Sequence, residues 1–219
     1  MNINLKTFTS FTTSNCYVLQ PFGDSTCIFI DLPPDLDKAL DYVKQNNLSI
    51  GGALITHGHY DHSLGLKDFI QNSYINLDDE FLARNPQEQI KYFMGNNQDI
   101  EKYEGELKSI DELPFTNINY FKNPGHTKGS VSYEFPNLGL IFTGDFVFKD
   151  SIGRTDLFSG SIDDMKISIN SVFMNFNDDS EILPGHGPSG KVKSIKNNNE
   201  YIKELINDWT SQRNSEYIW

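Results

Sequence analysis

Three of the five histidines of this chain fall within six residues, His57, His59 and His62, with Asp61 between the last two in the stretch THGHYDHSLG. Imidazole nitrogens and carboxylate oxygens both bind zinc, and about four such ligands complete one site. In an extended segment residues i and i+2 point the same way, so His57 and His59 can aim at one ion as the chain leaves a strand. Asp61 and His62 follow where the chain begins to turn into a helix, and they project to a second point nearby. The chemistry implied is therefore metal binding, at two adjacent positions. The remaining ligands must come from afar. His126 in NPGHTKGS and His186 in LPGHGPSG each occupy a Pro-Gly-His turn, and Asp145 ends the apolar run IFTGD. A carboxylate there has two oxygens with which to bridge two cations, and burying its charge without such partners would be costly. Each fragment alone is often only a turn or a helix cap, yet no histidine of the chain lies outside the pattern.

The elements that must position these groups follow from periodicity and turn chemistry. NLKTFTSF (4–11), NCYVLQPF (15–22) and TCIFIDL (26–32) read as strands, with Gly23 and Asp24 as a hairpin turn. PDLDKALDYVKQ (34–45) is a helix with Leu36, Ala39, Leu40 and Val43 on one face. GGALIT (51–56) is a strand buried on both faces that hands the chain to His57. A second helix is expected over 63–71, and DEFLAR and PQEQIKYFMG are short helices of a polar insertion, residues 72–113, that shapes the pocket. Strands resume as INYFKN, SVSYEF and LGLIFTGD, and EILP is a last short one. Ser161 and Asp164 form a capping-box pattern before a helix over 161–176, whose Met165, Ile169, Val172 and Phe176 share a face. A C-terminal helix over about 196–212 carries Ile202, Leu205, Ile206 and Trp209 at helical spacing. Two strand-rich halves with helices outside them make a layered mixed α/β sandwich, and no repeat or linker divides residues 1–219 into more than one domain.

Bulk composition excludes several classes. The formal net charge of −12 disfavours a nucleic-acid partner, whose phosphates are held by lysine and arginine. Cys16 and Cys27 are not in a CxxC spacing and read as buried, reduced thiols. No run approaches the length of a membrane span, and MNINLKTFTS lacks the apolar core of a signal peptide, so a cytoplasmic protein without a membrane partner is expected.

With HxHxDH at His57, His59, Asp61 and His62, followed in order by His126, Asp145 and His186, the chain resembles the metallo-β-lactamase superfamily from its first strands to about residue 200. The resemblance implies a four-layer αββα sandwich with a binuclear site in a cleft at the sheet edges. It implies that His57, His59 and His126 hold one Zn2+, that Asp61, His62 and His186 hold the other, and that Asp145 bridges them, with iron or manganese as the alternative metals. The cysteine ligand of many β-lactamases has no counterpart here. TGDFVFKDSIGRTDLFSGS and ILPGHGP are most similar to glyoxalase II, which hydrolyses S-lactoylglutathione. Arg154 stands where that family has a glutathione-binding lysine, and Asp156 stands where it has a tyrosine. The residues after His186 are too few for the helical domain that completes the glutathione pocket. Arg154 and Asp156 have a second reading, a local ion pair that holds the loop.

The function implied is metal-dependent hydrolysis of a small-molecule thioester, with Asp61 as the catalytic residue that orients the attacking hydroxide. A thiolate of pKa about 8.5 departs without a dedicated general acid. The first rival is a persulfide dioxygenase with one iron, which shares HxHxDH and GRTD but has its last histidine in a Pro-Ala-His-Asp context. Nucleic-acid processing of the ribonuclease Z kind is the second, against the charge, and a binding protein on an inactive scaffold is the third.

Overall fold

The computed structural model describes residues 4–21, 23–95 and 100–216. Six strands form the first sheet in sequence order: β1 (Asn4–Thr9), β2 (Asn15–Gln20), β3 (Thr26–Ile30), β4 (Ser49–Leu54), β5 (Ser73–Ile75) and β6 (Lys108–Ser109). The β1–β2 and β2–β3 pairs are antiparallel, and the later pairs are parallel. The second sheet consists of β7 (Asn119–Lys122), β8 (Val131–Phe135), β9 (Leu140–Gly144), β10 (Glu181–Pro184) and β11 (Gly190–Lys191), ordered β11-β10-β9-β8-β7. Phe22, with which the second strand reading ended, lies outside the described residues.

The uninterrupted apolar runs of the strands have a simple cause. Successive side chains point to opposite faces of a sheet, and here both faces are covered. Val18, Phe29 and Ile55 join Leu36, Ala39 and Val43 of the α1 region (α1, Asp37–Gln45) in one core. Their neighbours Leu19, Ile28 and Leu54 enter a second core, between the sheets, with Tyr133 and Phe142. Ile141, next to Phe142, points the other way, into a third core with Met165 and Ile169 of α5 (Ile162–Ser171) and Ile202 of α7 (Glu200–Glu216). Helices, sheet, sheet and helices are the four layers of an αββα sandwich. Each large apolar side chain fully buried in it contributes roughly 1.5–3 kcal/mol. Among the described residues no helix is long and apolar enough to cross a membrane.

Three helices differ from the sequence expectation. In place of one helix over 63–71 there is a single turn, α2 (Tyr60–Ser63), followed by a 3-10 turn over Leu64–Asp68. The backbone here lies against the end of β3: Leu32 N donates to His62 O at 2.8 Å, Gly65 N donates to Leu32 O at 2.9 Å, and a Cβ on Gly65 would lie 2.6 Å from Pro33 O. An α-helix continuing along that path has no room. The helix expected over 161–176 stops at Ser171 and tightens into a 3-10 turn, Phe173–Asn175, which still delivers Phe173 and Phe176 to the core. At its start the Ser161 side chain accepts from Asp164 N at 3.2 Å, the capping bond the pattern foretold.

The C-terminal helix is two, α6 (Val192–Asn198) and α7. Asn199, fully buried, breaks it: Oδ1 accepts from Ile202 N at 3.2 Å while Nδ2 donates to Phe148 O at 3.2 Å and Ser151 O at 2.8 Å. An asparagine side chain that satisfies backbone groups competes with helix continuation and caps the next helix instead. The insertion contains β5, α3 (Glu80–Arg84), α4 (Pro86–Met94) and β6, so the two short helices stand where the pattern puts them.

Candidate metal centre

All four ligand-bearing turns leave the sheets at one edge. β4 delivers the chain to Thr56, whose N and Oγ1 donate to Asp31 Oδ1 and Oδ2 at 2.7 and 2.8 Å. His57 and His59 follow, the latter in extended backbone just before α2, and His62 lies within α2. His126 lies between β7 and β8, Asp145 directly follows β9, and His186 follows β10. β9 and β10 are parallel with Pro184 opposite Gly144, so Asp145 and His186 emerge at the same level. Gly185 must be a glycine, because a Cβ there would run into Asp145 Oδ1.

The seven residues singled out in the sequence come together as three overlapping sets, each with donor atoms within 4.8 Å of one another: His57, His59 and His126; His57, His62 and Asp145; Asp61, His62 and His186. Asp145 reaches both ends of the cluster, with Oδ1 3.5 Å from His62 Nε2 and Oδ2 3.6 Å from His126 Nε2 and 3.5 Å from His186 Nε2. Those separations are long for hydrogen bonds. They leave room for a cation between the groups. His57 Nε2 and Asp145 Oδ1 are buried with no hydrogen-bond partner, which costs about 1–3 kcal/mol per group unless something else satisfies them, and His59 faces the cluster with Nδ1, 2.8 Å from His126 Nε2. These orphaned lone pairs, with imidazole and carboxylate as the donor types, fit divalent metal ions.

The outward nitrogens of four histidines are held in turn. His62 Nδ1 donates to Asp31 Oδ2 at 2.9 Å and His126 Nδ1 to Arg154 O at 2.7 Å. His57 Nδ1 lies 3.1 Å from Thr56 Oγ1, and His186 Nδ1 lies 3.1 Å from Thr13 Oγ1. With a proton placed on each Nδ1, the Nε2 lone pair of each ring is free to face the cluster.

Charge differs between the two ends. Burial, then the surrounding imidazoles, hold His57 and His59 well below the usual histidine pKa, so both are neutral ligands at pH 7. His62 is buried too, but Asp61, Asp145 and Asp31 outweigh the burial and push it up to about 10. Burial opposes ionisation of Asp61, yet His62 and His186 hold its carboxyl well below the usual range. Without a cation, the proton on His62 thus helps to offset the carboxylates, a role that a divalent ion can take over, and against its burial Asp61 and Asp145 raise His186 in the same direction.

A cleft of about 360 Å³ opens over this cluster, lined by Tyr60, Phe148, Arg154 and Leu157. The Arg154 side chain is already engaged: Nε and Nη2 donate to Asp156 Oδ1 and Oδ2, both at 2.8 Å. This is the local ion pair that was the second reading of these two residues. Tyr92 and Phe158 stack edge to face at 5.3 Å. Cys16 and Cys27 are buried free thiols, raised by burial, and belong to none of the ligand sets. Sequence reasoning passed over Asp31, Thr13 and Gln89. Asp31 had a signal, a carboxylate closing the apolar run TCIFI. Gln89, whose Oε1 accepts from Tyr60 N at 3.0 Å and whose Nε2 donates to Gly58 O at 3.2 Å, had none.

A family model described as the metallo-beta-lactamase superfamily matches residues 9–77 and 86–187. The chain is 28% identical over 210-odd residues to the hydroxyacylglutathione hydrolase GloC of Haemophilus influenzae, an alignment spanning 92% of this chain and 98% of that protein. Among solved structures, the B3 metallo-beta-lactamase BLEG-1 superposes with a TM-score of 0.80 at 24% identity, covering 89% of this chain and 97% of its own. TTHA1623 in a di-iron-bound form gives a TM-score of 0.78 at 21% identity, covering 89% and 98%.

Proposed function

Because the chain belongs to the metallo-β-lactamase superfamily, we propose that it is a binuclear metal-dependent hydrolase of acyl-thioesters, of the hydroxyacylglutathione hydrolase type. One observation carries the binuclear part: a single carboxylate, Asp145, lies within 3.6 Å of histidine nitrogens at both ends of a cluster that contains orphaned buried ligand atoms. His57, His59 and His126 would hold one ion, Asp61, His62 and His186 the other, with Asp145 shared. When bound, such a pair of divalent ions acts as a Lewis acid on a carbonyl and lowers the pKa of water to about 7.

The remaining steps belong to the chain's own side chains. Asp61 stays ionised and only partly buried at the cleft, where its carboxylate accepts a hydrogen bond from the attacking water and turns a lone pair towards the carbonyl carbon. The neutral imidazoles of His57 and His59 take up no proton at pH 7, so the site keeps its ligand set through turnover. Tyr60, Phe148 and Leu157 supply apolar walls of the cleft against which the acyl or thiol part of a substrate would pack. The absence of a general acid in the mechanism suits a thiolate, which leaves unprotonated given a pKa of about 8.5. Arg154 would take an anionic end of the thiol carrier by giving up Asp156.

Zinc is the expected metal, with iron or manganese as alternatives. A mononuclear-iron persulfide dioxygenase shares HxHxDH but has its last histidine in a Pro-Ala-His-Asp context, whereas His186 stands in LPGHGP, and the net charge of −12 opposes a nuclease of the ribonuclease Z kind. Elemental analysis of the purified protein, paired with thiol release from a panel of thioesters that includes S-lactoylglutathione, tests the proposal. Two metal ions per chain and thiol release support it. A single iron with oxygen uptake on glutathione persulfide overturns it.

A further inference from the structure

Asp79 lies in the insertion, outside every ligand motif, and is 0% exposed. A carboxylate is almost never buried so completely unless it is paired. Its partners are all donors, and all belong to two ligand-bearing turns. Gly58 N, between His57 and His59, donates to Oδ2 at 2.8 Å; Thr127 Oγ1, directly after His126, donates to Oδ2 at 2.6 Å; Gly129 N donates to Oδ1 at 2.7 Å.

The packing is equally close. A Cβ on Gly58 would lie 2.6 Å from Asp79 O, and a Cβ on Gly129 would lie 2.5 Å from Asp79 Cγ. The glycine between the two histidines and the glycine of HTKG are thus both required by the approach of one residue. His57 and His59 come from the first sheet and His126 from the second. The three-histidine set is therefore assembled across the sandwich, and one carboxylate bonds to both halves of it. The sheets are also joined at this edge by Val131 N donating to Thr56 O at 2.8 Å, so the layers do not depend on Asp79 alone.

We propose that Asp79 is a positioning residue that sets His57 and His59 against His126, and so controls the affinity of the three-histidine set for a divalent cation separately from the Asp61–His62–His186 set. This rests on the reading of those histidines as metal ligands. Groups that orient ligands in this way typically change metal affinity by about 10–100-fold when removed.

Asp79→Asn keeps the volume but turns an N–H group towards donors. Zinc titration against a competing chelator, with cadmium-113 resonances to distinguish the nitrogen-rich set from the carboxylate-bearing one, is expected to show affinity at the three-histidine set falling by about 10–100-fold and at the other by less than about 3-fold. Thr127→Val removes one donor, leaves the carboxylate in place, and is expected to act in the same direction by roughly 3–10-fold; it decides the matter if Asp79→Asn does not fold. A variant that melts earlier yet keeps both affinities reduces Asp79 to a support of the fold and overturns the proposal. A wild-type protein that binds zinc only at Asp61, His62 and His186 overturns the metal reading of the three histidines, and the proposal with it.

Discussion

Replacing Asp31 tests how much of the centre is held from behind. Its buried carboxylate accepts three hydrogen bonds, from Thr56 N, Thr56 Oγ1 and His62 Nδ1, at 2.7, 2.8 and 2.9 Å. Its backbone is left-handed, with φ of 61°, a conformation that asparagine also tolerates. Asp31→Asn therefore changes charge and one donor–acceptor sense with little steric or backbone disturbance. With the amide oxygen at the Oδ2 position, two bonds survive as neutral ones and the amide N–H faces Thr56 N. One buried group left unsatisfied costs about 1–3 kcal/mol, and losing the charge from the other two bonds costs about 1 kcal/mol more. The total of roughly 2–4 kcal/mol corresponds to a Tm lower by about 4–16 °C for a chain of this size. Calorimetry of metal-free protein gives the first number. Zinc titration of the same variant gives the second, an affinity lower by about 10–100-fold at the set containing His62. A Tm within about 1 °C of wild type, with both zinc affinities unchanged, would refute the idea that Asp31 fixes Thr56 and the His62 ring.

Asp61→Ala is expected to lower kcat for thioester hydrolysis by about 10²–10⁴-fold, the range for a positioned acid–base group, and to move Tm little, since its side chain is only partly buried; steady-state kinetics beside a melting curve checks both. Asp156→Asn releases the Arg154 guanidinium from its bidentate partner, so KM for glutathione thioesters should fall a few-fold while that for an uncharged thioester stays the same. Zinc binding should also release protons. In the metal-free protein His62 is pushed up to about 10, so at pH 7 it carries a proton that a bound cation must displace, and affinity at that set should weaken as pH falls; calorimetric titration in buffers of different ionisation enthalpy counts the protons.

How much was legible beforehand depended on where each signal is written. Histidine is scarce in this chain, and His57, His59, His62, His126 and His186 all sit in turn-like, glycine-flanked contexts, so the set the structure gathers could be picked out by type and context alone. A layered sandwich was readable from the order of strands and helices, and its four-layer αββα form from the family resemblance; the central strands are apolar on both faces, as the opposite destinations of Ile141 and Phe142 illustrate. Helix ends were less so. Gly65 and Asn199 interrupt otherwise helical patterns because of backbone groups far away in the sequence, Leu32 and Pro33 for the first, Phe148 and Ser151 for the second. Asp79 and Gln89 lay beyond reach for the same reason: their partners are mostly main-chain atoms of remote turns, which look identical in every sequence. Arg154 and Asp156 were legible as a pair, because they are two residues apart.

The Asn199 amide has a wider reach than its size suggests. Through Phe148 O and Ser151 O it ties the first turn of α7 to the stretch of chain that walls the cleft beside His186. The start of the last helix and the rim of the cleft are therefore hydrogen-bonded through one buried side chain, so a change that displaces the helix strains the rim as well. Extending or docking something onto α7 then becomes a way to retune which substrates enter, without touching a single residue that meets them.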